Sequence, residues 1–386
     1  MTYLNNKQTK DCCGCKACYE ICNHNAIVMK TDALGFAYPE IDENKCTHCN
    51  LCRSVCPFEN GDNVKFDSEK SVSVVAVHKD SEVCFNSSSG GAYSCLCEVL
   101  DYGNTYFAGV TIDENFKVYH DISEDYKIFR KSKYVMSDTN GIFKKVKACL
   151  EEGKRVVFSS SPCQVAALKL FLRKDYENLI TVDVVCRGAP SQKLFDECLK
   201  YTEKEENNKI IKYIFKNKKP VNGKINCRSC EILFENGKSV CRDSKSDLYL
   251  KFFNSYLCKR ESCNSCNFYT PDRVGDITLM DAWHIEKIYP ELNPLEGVSA
   301  IMFNSDKVKN ILDEMKKEMN TYDISTQKLI ELNRTLRIKG PHNTHRNLFI
   351  KNYLKGKDLR KNIESSLKKS LNYAKIMAIK KKIFHK

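Results

Sequence analysis

Apolar residues recur along this chain in two patterns. Near-continuous β-branched runs at Ser73–His78, Arg155–Phe158 and Leu179–Cys186 predict strands buried on both faces. Tyr106–Val110 and Lys117–His120 predict two more, and Lys209–Ser244 is strand-like and basic. Ala92–Leu100, residues 141–152, a stretch ending at Leu172, and Lys245–Leu257 carry the helical period. The segments after Asp306 read as helical. The last of them sets Leu359, Ile363, Leu367, Leu371 and Ala374 on one face, opposite lysines. Strands alternating with helices predict an α/β body. Residues 57–71 are polar and read as a linker.

Before residue 62 the pattern changes. Only Ala26–Met29 and Phe36–Tyr38 supply short strands, and cysteine dominates. Cys12, Cys15, Cys18 and Cys22 stand at x2-x2-x3 spacing; Cys46, Cys49, Cys52 and Cys56 repeat it, followed by Pro57. This is the bacterial two-cluster ferredoxin run, in which x2 spacing turns three sulfurs into one hollow and the fourth serves the other cluster. The expected sets are Cys12, Cys15, Cys18 with Cys56, and Cys46, Cys49, Cys52 with Cys22. Cys13 is a spare. Isolated C-x2-C pairs would suit zinc, but two complete runs at identical spacing fit two 4Fe-4S clusters better. Asn23 replaces the proline expected after the first run, a residue that shapes the turn without ligating.

The chain has 386 residues and 22 cysteines, enough length for two or three domains. It shows no signal peptide and no apolar run able to span a bilayer, and its cysteines fall in cluster spacings rather than a disulfide pattern. The expectation is the cytoplasm of an anaerobe. Net charge is +13, yet residues 351–386 hold 12 Lys/Arg against Asp358 and Glu364, so only about +3 belongs to the rest. That basic amphipathic end predicts either a helix packed on the body or a peripheral membrane contact. Nucleic-acid binding is not expected, because no recognised module accompanies the charge.

Two loops of the body join a predicted strand to a predicted helix: Asn86–Gly91 and Ser159–Gln164. Such a turn offers backbone N–H groups and a helix N-terminus to an anion. A capping serine on a flexible turn is the plainer reading of the same residues.

These loops, with Ser132–Ser137, Pro162-Cys163-Gln164, Cys186–Ser191, Cys263-x2-Cys266 and Gly275–Thr278, occur in an order that resembles the coenzyme F-420 hydrogenase/dehydrogenase beta subunit family, over residues 70–305. The form it resembles carries a fused two-cluster ferredoxin domain. The resemblance implies a ferredoxin-like domain at 1–62, a mixed α/β flavin-binding body at 70–152 and 153–320, and a basic helical C-terminal tail at 321–386. It implies FAD at Ser87, Ser88, Ser89, Gly90 and Gly91, with Lys133, Tyr134 and Gln164 beside it. A third 4Fe-4S cluster is expected on Cys163, Cys186, Cys263 and Cys266, with Cys258, Cys227 and Cys230 as competing ligands and separate buried thiols as the plainer reading. Lys133, Arg187 and Asp281 are the expected catalytic groups; His120 and His284 are weaker proton-donor candidates. Three positions depart from the family: Ser160-Ser161 replaces Gly-Thr, Arg187 replaces His, and Ala282-Trp283-His284 replaces a Phe-Trp-Gly run.

The implied function is electron transfer from a ferredoxin or other low-potential carrier, through the clusters to FAD, and on to an organic substrate. Bacterial relatives suggest a place in surface-polysaccharide metabolism. The alternatives are a non-catalytic electron-transfer subunit of a hydrogenase or dehydrogenase complex, and a scaffold whose flavin site is dead.

Overall fold

A computed structural model describes residues 4, 7–139, 141–221, 223–337 and 343–369. Its first 60 residues are built as a repeat. Each cysteine run leads into a short helix, Ala17–Ile21 and Leu51–Ser54. Gly14 and His48 occupy matching places just before the second cysteine of each run, and Lys16 and Asn50 just after it; all four are left-handed, with φ of 72°, 56°, 61° and 60°. This backbone turns the sulfurs of a run toward one side. Strands β1 (Ile27–Thr31) and β2 (Ala37–Ile41) form an antiparallel hairpin between the runs.

The body is centred on an eight-stranded mixed sheet. Its members are β3 (Val72–His78), β4 (Thr105–Ile112), β5 (Val118–Ser123), β6 (Arg155–Ser160) and β7 (Leu179–Val184), joined by three strands from later in the chain. Strands β8 (Ile210–Asn217), β9 (Ser229–Phe234) and β10 (Ser239–Asp243) make a separate antiparallel sheet. The chain then returns to the large sheet with β11 (Ile277–Asp281), β12 (Ser299–Phe303) and β13 (Met319–Asp323). The large sheet has the order β13-β3-β12-β11-β7-β6-β4-β5. Its centre, β11-β7-β6-β4, is parallel, and the outer strands are antiparallel. Strand β13 departs from the helical reading of this region, because Met319–Asp323 alternates weakly and lies among helical segments; pairing with β3 makes it a strand.

Tertiary packing joins the two modules. Ala17 and Val55 of the cysteine module share one apolar core with Ala166, Leu168 and Phe171 of the helix Pro162–Leu172. The Glu20 carboxylate accepts hydrogen bonds from Gly141 N (3.0 Å) and Lys144 N (3.3 Å), capping the helix Ile142–Glu151 from outside. Burial pushes Glu20 up to about 7. Residues 57–71, expected as a linker, form short helical turns held to the body: Phe58 meets Phe268 edge-on, and Ser68 Oγ donates to Asp272 (2.8 Å). The C-terminal helices pack on the small sheet. Ile363 is buried there, with Leu359 and Leu367 against the same core; Leu371 and Ala374 lie outside the described residues. Among the described residues no helix is long and apolar enough to cross a membrane.

Candidate redox site

Ligand sites of open α/β sheets lie beyond the carboxyl ends of the parallel strands. Here β6 ends at Ser160 and leads to Cys163, β7 leads to Cys186, and β11 ends at Asp281. Strand β3 runs parallel to β11, being two antiparallel steps away, so the loop Ser87–Gly91 emerges at the same edge. Cys163, Cys186, Asp281 and the loop Ser87–Gly91 therefore lie toward this edge.

The cysteine module places its sulfurs in two neighbouring groups. Cys22 lines a hollow with Cys46, Cys49 and Cys52. Cys18 stands within electrostatic reach of Cys12 and Cys56 and also of Cys52, and Cys15 is within reach of Cys18 and Cys56. Donors aim at these sulfurs: Ala26 N at Cys22 Sγ (3.4 Å), Lys7 Nζ at Cys56 Sγ (3.3 Å) and Arg260 Nη2 at Cys12 Sγ (3.6 Å). Such bonds suit thiolates that hold a cluster. Cys49 is exposed, whereas Cys12 and Cys15 are buried, so one hollow opens to solvent and the other faces the body.

Cys163, Cys186, Cys263 and Cys266 come together from three elements. Burial, then the neighbouring Cys263 and Cys163 sulfurs, push Cys186 up to about 12; Cys266 is raised by burial and by Cys163, Cys263 and Cys186. Cys163 occupies the second position of the helix Pro162–Leu172, where the helix dipole favours a thiolate, and Gly188 N donates to Cys186 Sγ (3.3 Å). Among the described residues, two buried donors without a hydrogen-bond partner, Lys259 Nζ and Tyr269 Oη, lie within electrostatic reach of Cys186, Cys263 and Cys266. A four-thiolate centre supplies the negative charge these donors lack. Of the competing cysteines, Cys227 Sγ faces Pro294 O (3.6 Å) and Cys230 sits beside Tyr213 and Asp247; Cys258 Sγ faces Phe252 O (3.5 Å) while lying within electrostatic reach of Cys263. Among the described residues no three Cys, His, Asp or Glu side chains converge on a point that would hold a single ion.

Cys13 bridges two of these sets. It is buried, and its side chain hydrogen-bonds to both Cys15 and Cys163. The residue that looked spare therefore stands between the inner ferredoxin set and the body set.

Adjoining the body set is a cluster of cationic and aromatic side chains. The Arg187 guanidinium stands over Tyr256 (5.0 Å) and near Tyr134 and Arg228. Tyr134 stacks on Phe253 at 4.6 Å and 8°. The Asp281 carboxylate accepts from Lys216 Nζ at 2.6 Å. Burial disfavours the Lys216 charge, but Asp281, Tyr134 and Cys227 together hold its pKa above the usual lysine range. Trp283 lies under Lys216 (5.8 Å) and Arg228 (4.3 Å), and Lys218 Nζ donates to Cys84 O and Ser89 O. Lys133 donates to Arg130 O (2.8 Å), and burial lowers it to about 7.

Other expected residues serve the fold visibly. Ser88 Oγ accepts from Ser132 N (2.7 Å), Ser87 Oγ donates to Val83 O (2.7 Å), and Ser89 Oγ donates to Val298 O (2.8 Å). Gln164 accepts from Ser160 Oγ and Ser161 Oγ (both 2.7 Å) and donates to Ser137 Oγ (3.1 Å), which fixes the turn that carries Cys163. His120 is buried, stacks on Phe158 and shares a hydrogen bond with Ser160 (2.9 Å); burial lowers it to about 3, so it is neutral near pH 7. His284 is exposed beside Glu286 (3.8 Å).

Residues 153–327 match the family described as the C terminus of the coenzyme F-420 hydrogenase/dehydrogenase beta subunit, and residues 11–60 match the 4Fe-4S dicluster domain. The chain is thus similar to this beta-subunit family over residues 153–327. Among solved structures it is similar to a chain of the xenon-derivatised F-420-reducing NiFe hydrogenase complex from Methanosarcina barkeri, at 17% identity and a TM-score of 0.44, covering 73% of this chain and 97% of that one. No curated protein matches it. An iron–sulfur electron-transfer domain thus precedes, in one chain, a domain that matches this family's C terminus.

Sequence reasoning missed Lys216, Lys218, Lys259 and Arg260. The basic run Lys216–Lys219 was visible, but nothing local distinguishes a buried strand lysine from a solvated one.

Proposed function

We propose that this protein is an iron–sulfur flavoprotein oxidoreductase that takes electrons from a low-potential carrier and delivers them to an organic substrate. One observation carries the reading: the groups form a contiguous path. It runs from exposed Cys49, by way of Cys52 and Cys18, to the buried Cys12–Cys15 set. Cys13 continues it to Cys163, and the body set adjoins Tyr269, Arg187 and Tyr134. In this reading two 4Fe-4S clusters sit on the eight cysteines of the ferredoxin module and a third on Cys163, Cys186, Cys263 and Cys266. FAD lies where the loop Ser87–Gly91 meets the segment Ser132–Tyr134. When bound, the clusters supply one-electron steps and the flavin a two-electron carrier.

The chain's own residues would do the following. The exposed loop around Cys49 receives the donor protein. Lys133, Lys218 and Arg187 attract the anionic parts of the cofactor. Tyr134, braced by Phe253 and by Tyr249 Oη on its carbonyl (2.6 Å), forms a flat wall. The Lys216–Asp281 pair fixes the floor near Trp283.

Anaerobic purification with iron, sulfide and released flavin measured per chain tests this. The expected result is about twelve irons, four for each of three cubes, and one FAD. About eight irons with FAD would remove the body set as cluster ligands and leave the enzyme. Eight irons without flavin would replace the proposal with an electron-transfer subunit.

A further inference from the structure

We propose that Lys259 is the counter-charge of the body cysteine set and raises the reduction potential of the centre held there. This inference rests on the third-cluster reading above. Lys259 is 2% exposed, and its Nζ has no hydrogen-bond partner among the described residues. A buried ammonium without a partner is costly unless an anion faces it. The anionic groups within its reach are the sulfurs of Cys263, Cys266 and Cys186.

The surroundings hold Lys259 in this place. Its backbone pairs with Pro190, which follows the Cys186 loop. Its carbonyl accepts from Arg346 Nη2 (2.8 Å) and Nε (3.2 Å), while Arg346 Nη1 is neutralised by Glu261 at 2.5 Å. The second cation is thereby satisfied without the cysteines. Gly188, at φ +109°, leaves room for the stem, since a Cβ there would lie 3.0 Å from Lys259 Cδ. Tyr256 covers the ammonium at 5.3 Å. The neighbouring Arg260 turns the other way, with Nε on Cys12 O (2.6 Å) and Nη2 on Cys12 Sγ. Arg260 is thus committed to the inner ferredoxin set by its hydrogen bonds, with Cys263 also in reach, whereas Lys259 faces only the body set.

Net charge and donors to sulfur are the protein's means of setting a cluster potential. A fixed cation beside the centre favours the reduced, more negative form. Placed at the inner end of the path, Lys259 makes the last cluster a better electron acceptor than its ligands alone would.

The test uses the full chain, purified anaerobically as wild type, K259M and K259R. Iron and sulfide are counted, and each centre is titrated electrochemically with EPR detection. The expected result is twelve irons in all three proteins. In K259M one of the three signals should shift to lower potential by at least tenfold in its reduction equilibrium, 59 mV for one electron, and K259R should restore it. Selective loss of four irons from K259M but not from K259R would also support the counter-charge, since assembly would then require it. Twelve irons in K259M with all potentials unchanged would overturn it, and so would equal loss of the centre from both variants. Eight irons in the wild type would instead overturn the third-cluster reading beneath it.

Discussion

Asp183 stands three residues before Cys186, and its environment sets a measurable cost on removing its charge. The side chain is fully buried. Its carboxylate accepts from Arg273 Nε (3.3 Å) and Nη2 (3.1 Å), from Val274 N (3.1 Å) and from Gly275 N (3.0 Å). Arg273 is itself buried and lies between Cys266 and β11. The pair therefore ties the strand that leads to Cys186 to the segment that leaves Cys266. In D183N the new amide nitrogen points donors at donors, and the Arg273 charge loses its partner. Breaking a buried pair in this way costs about 3–5 kcal/mol, or roughly two to three and a half powers of ten in the folded population. Anaerobic urea unfolding, followed by near-UV circular dichroism and by absorbance of the body centre, measures it. The double variant D183L/R273M leaves neither charge buried and should recover most of the loss. A D183N protein within about 1 kcal/mol of wild type would refute the argument, being well below the cost of an uncompensated buried charge. So would a double variant as unstable as the two single losses combined.

Three further outcomes follow from the same geometry. His120 is neutral in the fold, at about 3 against 6.5 when unfolded, so its contribution is complete above pH 6.5 and is lost as pH falls; from pH 7.5 to 5.5 it should cost wild type about 1.4 kcal/mol, and H120N should lack that component, which parallel unfolding curves of the two proteins would disprove. C22S should remove the solvent-facing centre, about four irons, and leave the signals of the other two; iron lost from the inner set instead would reverse the assigned pairing. E20A should cost roughly 1–2 kcal/mol by leaving the first N–H groups of the helix Ile142–Glu151 without their outside cap, and limited proteolysis should release the cysteine module faster; an unchanged release rate would mean that the cap does not hold the modules together.

What the sequence made legible was whatever depends on spacing along the chain. The two cysteine runs need only local turns to point their sulfurs inward, and the positive φ at Gly14, Lys16, His48 and Asn50 shows the same turn twice. The parallel strands were legible because β6 and β7 are short runs rich in β-branched and apolar residues. Contacts made between distant segments were not. Cys13 differs from a ligand by one position, and its role depends on Cys163, 150 positions away. Lys259 and Arg260 are consecutive, yet only Arg260 hydrogen-bonds to Cys12 of the inner set, because an extended chain alternates its side chains. Strand β13 exists only because the edge of β3 was open to it.

The Ser–Gly–Gly loop shows how a residue type can be read correctly for a reason the fold revises. Glycine there suggested close approach of an anion to the backbone. A Cβ on Gly90 would lie 2.4 Å from Ala76 O and 2.7 Å from Ser299 N, and one on Gly91 would lie 2.8 Å from His78 Cβ. Gly91 also holds φ at +88°, just before the helix Ala92–Leu100. Both glycines are therefore required by packing against β3 and β12, whether or not a ligand binds. The argument for an anion moves from the glycines to the cations around them. Lys218 is buried against the carbonyl of Ser89, and Arg187 lies beside Tyr134 and Arg228. On that assignment K218M should lower FAD occupancy of the purified protein while G91A lowers stability, and the two effects should separate. A K218M protein that retains full flavin would move the phosphates away from this loop.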